Sequence, residues 1–236
     1  MSQYELIEIH HSPWSERVRW AFEFKGLAYA RRPYDPMTGE ADLKAMTGQT
    51  SVPVLVTYYG PIADSTAILD WLEASHGEPA LMPEDPVEHG QVVLWEEVMA
   101  RVFGPAGRDI LTRNLIASGN EQLAGVGTFL ETKYGCTDYA GRRASATCTR
   151  ILESLLAHLR GRDYLVGDRF TRADLTAAAL LTAANPPSEE VFKFSEQFAF
   201  LRPFFDVPAA REPRFAPVLA WRDAIYANHR GGPVLP

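Results

Sequence analysis

The spacing of apolar residues changes once along this chain, near residue 77, and that change limits the folds open to it. Before it, short β-branched and apolar runs alternate with helical runs; after it, the periodicity is helical almost throughout. Residues 4–10 (YELIEIH) suit a buried strand. Residues 15–25 follow as a helix, with Trp14, Val18 and Phe22 at i, i+4 spacing and Gly26 in the position of a helix-ending residue. Residues 29–34 read as an edge strand, because Pro33 cannot donate to a ladder. Residues 53–58 and 61–63 read as a hairpin turning at Tyr59-Gly60, and residues 65–76 as a helix ended by Gly77. The order βαβ, a helical connection and ββα makes an α/β unit over residues 1–77.

Glu78-Pro79 through Pro83-Glu84-Asp85-Pro86 is an acidic, proline-punctuated linker, placed at 78–87. The remainder, 88–236, is expected to be all-α, with helices near 87–103, 107–117, 120–134, 143–160, 172–184, 190–200 and 215–229 and a break or kink at Gly104-Pro105. The 236 residues carry a formal charge of −7, shared between both parts, which disfavours nucleic acid and anionic lipid surfaces as partners. The most apolar run, 175–184, is far below the roughly 20 residues of a membrane span, and the first residues lack the basic and apolar regions of a leader. Two cysteines, Cys136 and Cys148, make no disulfide framework and suit a reducing compartment, so the cytoplasm is the expected location. Gly125-Val126-Gly127 lacks the context of a dinucleotide loop. His10 and His11 are adjacent, so on a strand they face opposite ways and cannot chelate one metal; no metal is expected.

Three short constellations can carry chemistry. In the first, Ser12 and Pro13 open a helix: Ser12 is either an ordinary N-cap or a hydroxyl that, with unpaired N–H groups at the positive end of the dipole, faces an anion such as a thiolate. The second is Thr50-Ser51-Val52-Pro53, an ordinary strand start or, if the Val52–Pro53 bond is cis, an edge on which an extended peptide can pair. The third is Ala63-Asp64-Ser65-Thr66, again an N-cap or a place where exposed N–H groups and Ser65 hold a carboxylate while Asp64 holds an ammonium.

Ser-Pro-Trp-x-x-Arg-Val-Arg after the first strand, Ser-Val-Pro-Val-Leu about forty residues later and Asp-Ser-x-x-Ile a dozen after that together resemble the glutathione S-transferases, and the first motif is most similar to their serine-type tau, zeta and phi classes. The downstream segment 167–175, with a capping box from Thr171 to Asp174 and Phe170 and Leu175 placed as a staple, resembles the buried helix cap of that family's second domain. The resemblance covers most of the chain and weakens over 186–212.

It implies a thioredoxin-like, glutathione-binding domain at 1–77 and an all-helical domain at 88–236 that contributes an acceptor pocket. It further implies that Ser12 donates to the glutathione thiolate, that Val52 before a cis Pro53 pairs with the cysteinyl backbone, and that Asp64 and Ser65 hold the γ-glutamyl end. The family's usual Glu is Asp64 here, and Lys44, Gln49 and Ser51 are equal candidates for the glycyl carboxylate. Tyr4 and Ser15 are weaker candidates for the thiol-activating group, Arg17 and Arg19 read as surface or interface residues, and the Trp95, Met99, Val102 and Phe103 stripe reads as core. The implied activity is transfer of glutathione to a hydrophobic electrophile by a homodimer, with glutathione as co-substrate. Glutathione-dependent isomerisation or dehalogenation and a non-catalytic binding module are the alternatives. The phenylalanine-rich segment 186–211 is expected to cover the acceptor pocket or the dimer surface.

Overall fold

The computed structural model describes residues 3–36 and 38–235. The element order is β1 (Glu5–Glu8), α1 (Pro13–Phe24), β2 (Ala30–Pro33), α2 (Glu40–Thr47), β3 (Val54–Thr57), β4 (Gly60–Ala63) and α3 (Ser65–Ser75), and then α4 (Pro86–Glu97), α5 (Gly104–Ile116), α6 (Glu121–Tyr134), α7 (Asp138–His158), α8 (Arg172–Leu181) and α9 (Ala216–His229). The four strands form one mixed sheet ordered β2-β1-β3-β4, with β1 parallel to β2 and antiparallel to β3. Strand alternation sends Leu6 and Leu55 into the main core beside α1 and α3, and Ile7 and Val54 to the opposite face against Leu43 of α2 and Tyr34. The early strands and helices, the edge position of β2 and the hairpin turn therefore agree with their sequence patterns.

Every residue of α8 is buried, and the helix lies against α1. Its start is fixed by the expected capping box: Thr171 N–H and Oγ1–H both donate to Asp174 Oδ2, at 2.9 and 3.0 Å. Asp174 Oδ1 also accepts from Leu165 N–H at 2.7 Å, so the same carboxyl holds the preceding loop.

The helical part departs from expectation in three places. Gly104-Pro105 causes no break: α4 continues through a π-helical turn, Val98–Phe103, directly into α5. Gly104 N–H bonds Met99 O, five residues back, and Pro105 has no N–H to offer Ala100 in the same pattern. The Ala100 carbonyl instead accepts from the Trp14 indole at 3.2 Å. The wider turn also rotates the stripe, leaving Met99 and Phe103 buried but Val102 exposed. The second departure is segment 190–200, irregular up to Ser195 and then a 3₁₀ helix, Glu196–Phe204, containing Pro203, while α8 ends at Leu181. The third is α7, which starts five residues before its expected position, capped by Thr137.

Arg17 and Arg19 are wholly buried, so their surface assignment fails and the interface one holds. Sheet, α3, α8 and the end of α9 enclose α1 on nearly all sides, and charged residues on it must find partners. Arg17 pairs with Glu96 of α4 at 3.2 Å, and Arg172 of α8 meets the same Glu96 at 2.8 Å. Arg19 joins Glu16 at 2.7 Å and Glu8, while Arg230, after α9, joins Glu16 at 2.7 Å and Glu23. Burial opposes ionisation of Glu16, but Arg230 and Arg19 outweigh it and hold its carboxyl below the ordinary range.

A folded-state value below the unfolded one means that Glu16 stabilises the protein fully above the unfolded range and loses that contribution as pH falls through the folded value. Glu16→Gln should lower urea-unfolding stability by about 3 kcal/mol at pH 7, and the gap from the wild type should narrow in acid. A Cβ at Gly104 would stand 2.6 Å from Leu180 Cδ1 and 2.7 Å from Trp14 Cζ2. Gly104→Ala should therefore lower the unfolding free energy by about 1–3 kcal/mol, measured as a shift in the urea midpoint.

Candidate functional site

Beyond the carboxyl-side end of β1, the chain turns through His10 and His11 and enters α1 at Pro13, whose preset φ and missing N–H suit a first helical turn. Ser12 is the N-cap residue by backbone angle, with φ −75° and ψ 123°, yet its side chain makes no capping hydrogen bond. Its N–H is bonded to Ile9 O at 3.0 Å. The hydroxyl is thus left for another partner, and Ser12 lines a cavity of about 1000 Å³ between the sheet part and the helical part.

Val52, Pro53, Asp64 and Ser65 line the same cavity, so five positions spread over 54 residues of sequence converge on it. The Val52–Pro53 peptide is cis. Asp64 has φ 78°, a backbone region that a non-glycine residue rarely occupies. Its Oδ1 caps α3 by accepting from Thr66 N–H at 2.8 Å and Ala67 N–H at 3.3 Å, and its Oδ2 faces Arg101 at 3.2 Å. The N-cap reading of Asp64 is realised, and one carboxylate oxygen still reaches toward the helical part. Ser65 is buried beneath it.

Of the three candidates near Val52, Gln49 and Ser51 line the cavity; Lys44 is exposed on α2 and is not part of the wall. Gln49 spans its own loop, with Nε2–H donating to Ser51 O at 2.7 Å and Ser51 N–H donating to Oε1 at 2.6 Å. Lys133 of α6 reaches over the same loop and donates to Thr50 O at 2.7 Å. Tyr4 lies away from the cavity, with its hydroxyl 3.0 Å from His76 Nε2, and the Ser15 hydroxyl is buried in α1 without a partner.

The opposite wall belongs to the helical part. Leu111 and Leu115 of α5, Val126, Phe129 and Leu130 of α6, and Phe198 and Phe205 of the inserted segment make it apolar. Segment 186–211 thus closes the cavity, and His11 is the point to which it is fastened. The His11 ring stacks on Phe194 at 5.4 Å between centroids and meets Phe198 at 4.8 Å and Phe205 at 6.0 Å. Burial pushes its pKa down to about 3, with His10 and Arg19 adding to the effect, so it stays neutral. His10 holds the other side of the segment, with Arg31 donating to Nδ1 at 2.8 Å and the ring's Nε2–H donating to Lys193 O at 2.7 Å. Cys136 and Cys148 are free, buried thiols whose pKa values burial pushes up to about 11 and about 12; they lie outside this wall and are poor nucleophiles.

Arg101, Arg108 and Lys133 escaped the sequence reading, and His11 was weighed there only as a metal ligand or a core or edge residue. None of the three sits in a recognisable pattern, and they enter only because the π turn (Arg101), α5 (Arg108) and α6 (Lys133) pack over the loops of the sheet part. The phenylalanine content of the inserted segment did signal Phe198 and Phe205.

The chain matches two family models, "Glutathione S-transferase, N-terminal domain" over residues 11–75 and "Glutathione S-transferase, C-terminal domain" over residues 142–212. It is 24% identical to a probable glutathione S-transferase of Nicotiana tabacum, across 75% of this chain and 69% of that one. It is 28% identical to a probable maleylacetoacetate isomerase of Caenorhabditis elegans, across 76% of this chain and 78% of that one. Among solved structures, a glutathione S-transferase of Methylobacterium radiotolerans in complex with glutathione sulfonate superposes with a TM-score of 0.61, at 24% identity, over 92% of this chain and 94% of that one. One model covers the part that carries Ser12, Val52 and Asp64, the other covers most of α7, all of α8 and the inserted segment that closes the cavity, and the chain belongs to the glutathione S-transferase family.

Proposed function

We propose that this protein is a glutathione transferase of the serine type, which binds glutathione in the cavity and aims its sulfur at a hydrophobic electrophile. The observation that carries the reading is Ser12: an N-cap residue whose hydroxyl is not used for capping, at the positive end of α1, on the wall of a cavity that is apolar on its far side. Residues 1–77 act as the thioredoxin-like glutathione-binding domain, 78–87 as the linker and 88–236 as the helical domain that supplies the acceptor pocket. The glutathione bound in the Methylobacterium radiotolerans relative as its sulfonate supports glutathione as the co-substrate here.

A free thiol titrates near 8.5, so a few per cent is ionised at neutral pH. Lowering that value by two units takes about 2.7 kcal/mol, within the combined reach of one charge-assisted hydrogen bond and a helix N-terminus. Ser12 donates to the sulfur and stays protonated; it forms no covalent intermediate. The Val52 backbone pairs with the cysteinyl unit, and Ser65 with Asp64 receives the γ-glutamyl head group. Asp64 does so with the oxygen that also faces Arg101, which places the helical domain in contact with the glutathione end. Holding thiolate and acceptor together supplies the remaining advantage, worth several kcal/mol.

Glutathione-dependent isomerisation is the second reading, favoured by the likeness to the Caenorhabditis elegans probable isomerase. It uses the same activated sulfur and differs in regenerating glutathione. A homodimer belongs to the reading as well, since Tyr58 and Tyr59 at the hairpin tip and Leu94 on α4 are apolar and exposed, a surface that a second copy would cover. A detoxifying role in the cytoplasm fits the two free thiols and an acceptor wall built for apolar compounds.

The test is a thiolate difference spectrum. Glutathione added to the wild type at pH 7 should raise absorbance near 240 nm (about the ordinary thiolate band), and Ser12→Ala should remove the band while calorimetry still shows glutathione binding. The loss in kcat/KM expected for Ser12→Ala is about 100-fold. A band of equal size in the variant, or none in the wild type, overturns the assignment of Ser12.

A further inference from the structure

Arg108 stands out among the charged residues of the cavity. It projects from α5 into the wall, and its guanidinium carbon lies 3.8 Å from the centre of the Tyr134 ring and 5.4 Å from that of Trp14. No carboxylate lies within 4.0 Å of it among the described residues, and its Nε is buried without a hydrogen-bond partner. Every other described arginine that is not exposed has a carboxylate partner: Arg17, Arg19, Arg113, Arg172, Arg202, Arg222 and Arg230. The other cation on the wall, Arg101, is already matched by Asp64.

A guanidinium in mostly apolar surroundings gains from π faces, but its N–H donors call for an acceptor, and a planar bidentate carboxylate answers them best. Arg108 enters the cavity from a different element than the loops proposed for glutathione. It comes from α5 of the helical part, with Tyr134 of α6 on one side and Trp14 of α1 on the other, whereas Asp64, Ser65, Gln49 and Ser51 lie on the loops of the sheet part.

We propose that the acceptor is an apolar, ring-bearing electrophile that carries a carboxylate, and that Arg108 binds this carboxylate and so determines specificity. This rests on the glutathione transferase reading above and names the substrate class of that site. Leu111, Phe129 and Phe198 take the ring, Arg108 takes the acid group, and the electrophilic carbon is turned toward the sulfur beside Ser12. With 4-chloro-3-nitrobenzoate as the probe, the thiolate attacks the ring carbon bearing chlorine. The carbon–sulfur bond forms, the carbon–chlorine bond breaks, chloride leaves with the bonding pair, and the thiol proton has already passed to solvent.

Two measurements test it. In the first, calorimetry of the glutathione-loaded protein with 4-biphenylcarboxylate and with the matched carboxamide reads binding without turnover. The wild type should bind the acid at least about tenfold more tightly, and Arg108→Gln should abolish the difference. Equal affinities in the wild type overturn the proposal, as does a preference that survives in Arg108→Gln. In the second, kcat/KM for 4-chloro-3-nitrobenzoate relative to its methyl ester should fall about tenfold or more in Arg108→Gln, with KM for glutathione unchanged. The retained ester turnover shows that the variant is folded. A rise in KM for glutathione with equal losses on acid and ester would instead assign Arg108 to glutathione and overturn the proposal. Failure of the transferase reading looks different: the wild type would turn over neither compound and show no thiolate band, while the acid preference in calorimetry persisted.

Discussion

The geometry of the site depends on one misplaced backbone carbonyl. A proline five residues after Ala100 leaves that oxygen without its helical donor, and the Trp14 indole supplies one. Because Trp14 is the second residue of α1, this bond fastens the helix whose first turn carries Ser12 to the helix that forms the far wall. Gly104 permits it by leaving no Cβ in the way of the indole. A π turn is usually less favourable than an α turn, and here its consequence is a tie between the two halves of the cavity.

Around this tie, the two parts are joined by buried charge. Glu96 of α4 receives both Arg17 from α1 and Arg172 from α8, and Glu16 of α1 receives Arg230 from the end of α9. Buried ion pairs contribute little net stability compared with apolar packing, but each is costly to break, so such pairs fix relative position more than they add free energy. The turn that carries Ser12 therefore opens a helix held against sliding by its buried partners. On the open side, the His11 ring clamped by Phe194, Phe198 and Phe205 holds the inserted segment over the cavity mouth.

Most of the architecture could be read from the sequence because its signals are local. Alternating apolar residues, Gly26 after α1, the Tyr59-Gly60 turn and the Thr171–Asp174 box each depend on neighbours a few residues away. The errors have a common physical origin. Gly104-Pro105 is a local break signal overridden by an indole that reaches Ala100 from 86 residues away, and Arg17 looks solvent-exposed until Glu96, 79 residues away, arrives beside it. Segment 190–200 is apolar enough for a helix, yet its phenylalanines bind to His11 and to one another, and the backbone follows them.

By itself, the sequence determined the α/β-then-helical order, the family, and which short motifs carry hydroxyl, backbone and carboxylate groups at the starts of helices, since each of these is encoded over a few consecutive residues. Tertiary structure alone decided that Ser12 leaves its capping role open, that Asp64 divides its two oxygens between α3 and Arg101, and that Arg108 meets the cavity with no carboxylate partner among the described residues. Those facts depend on which groups lie within a few ångströms of one another across the fold, and no local pattern along a chain records such distances.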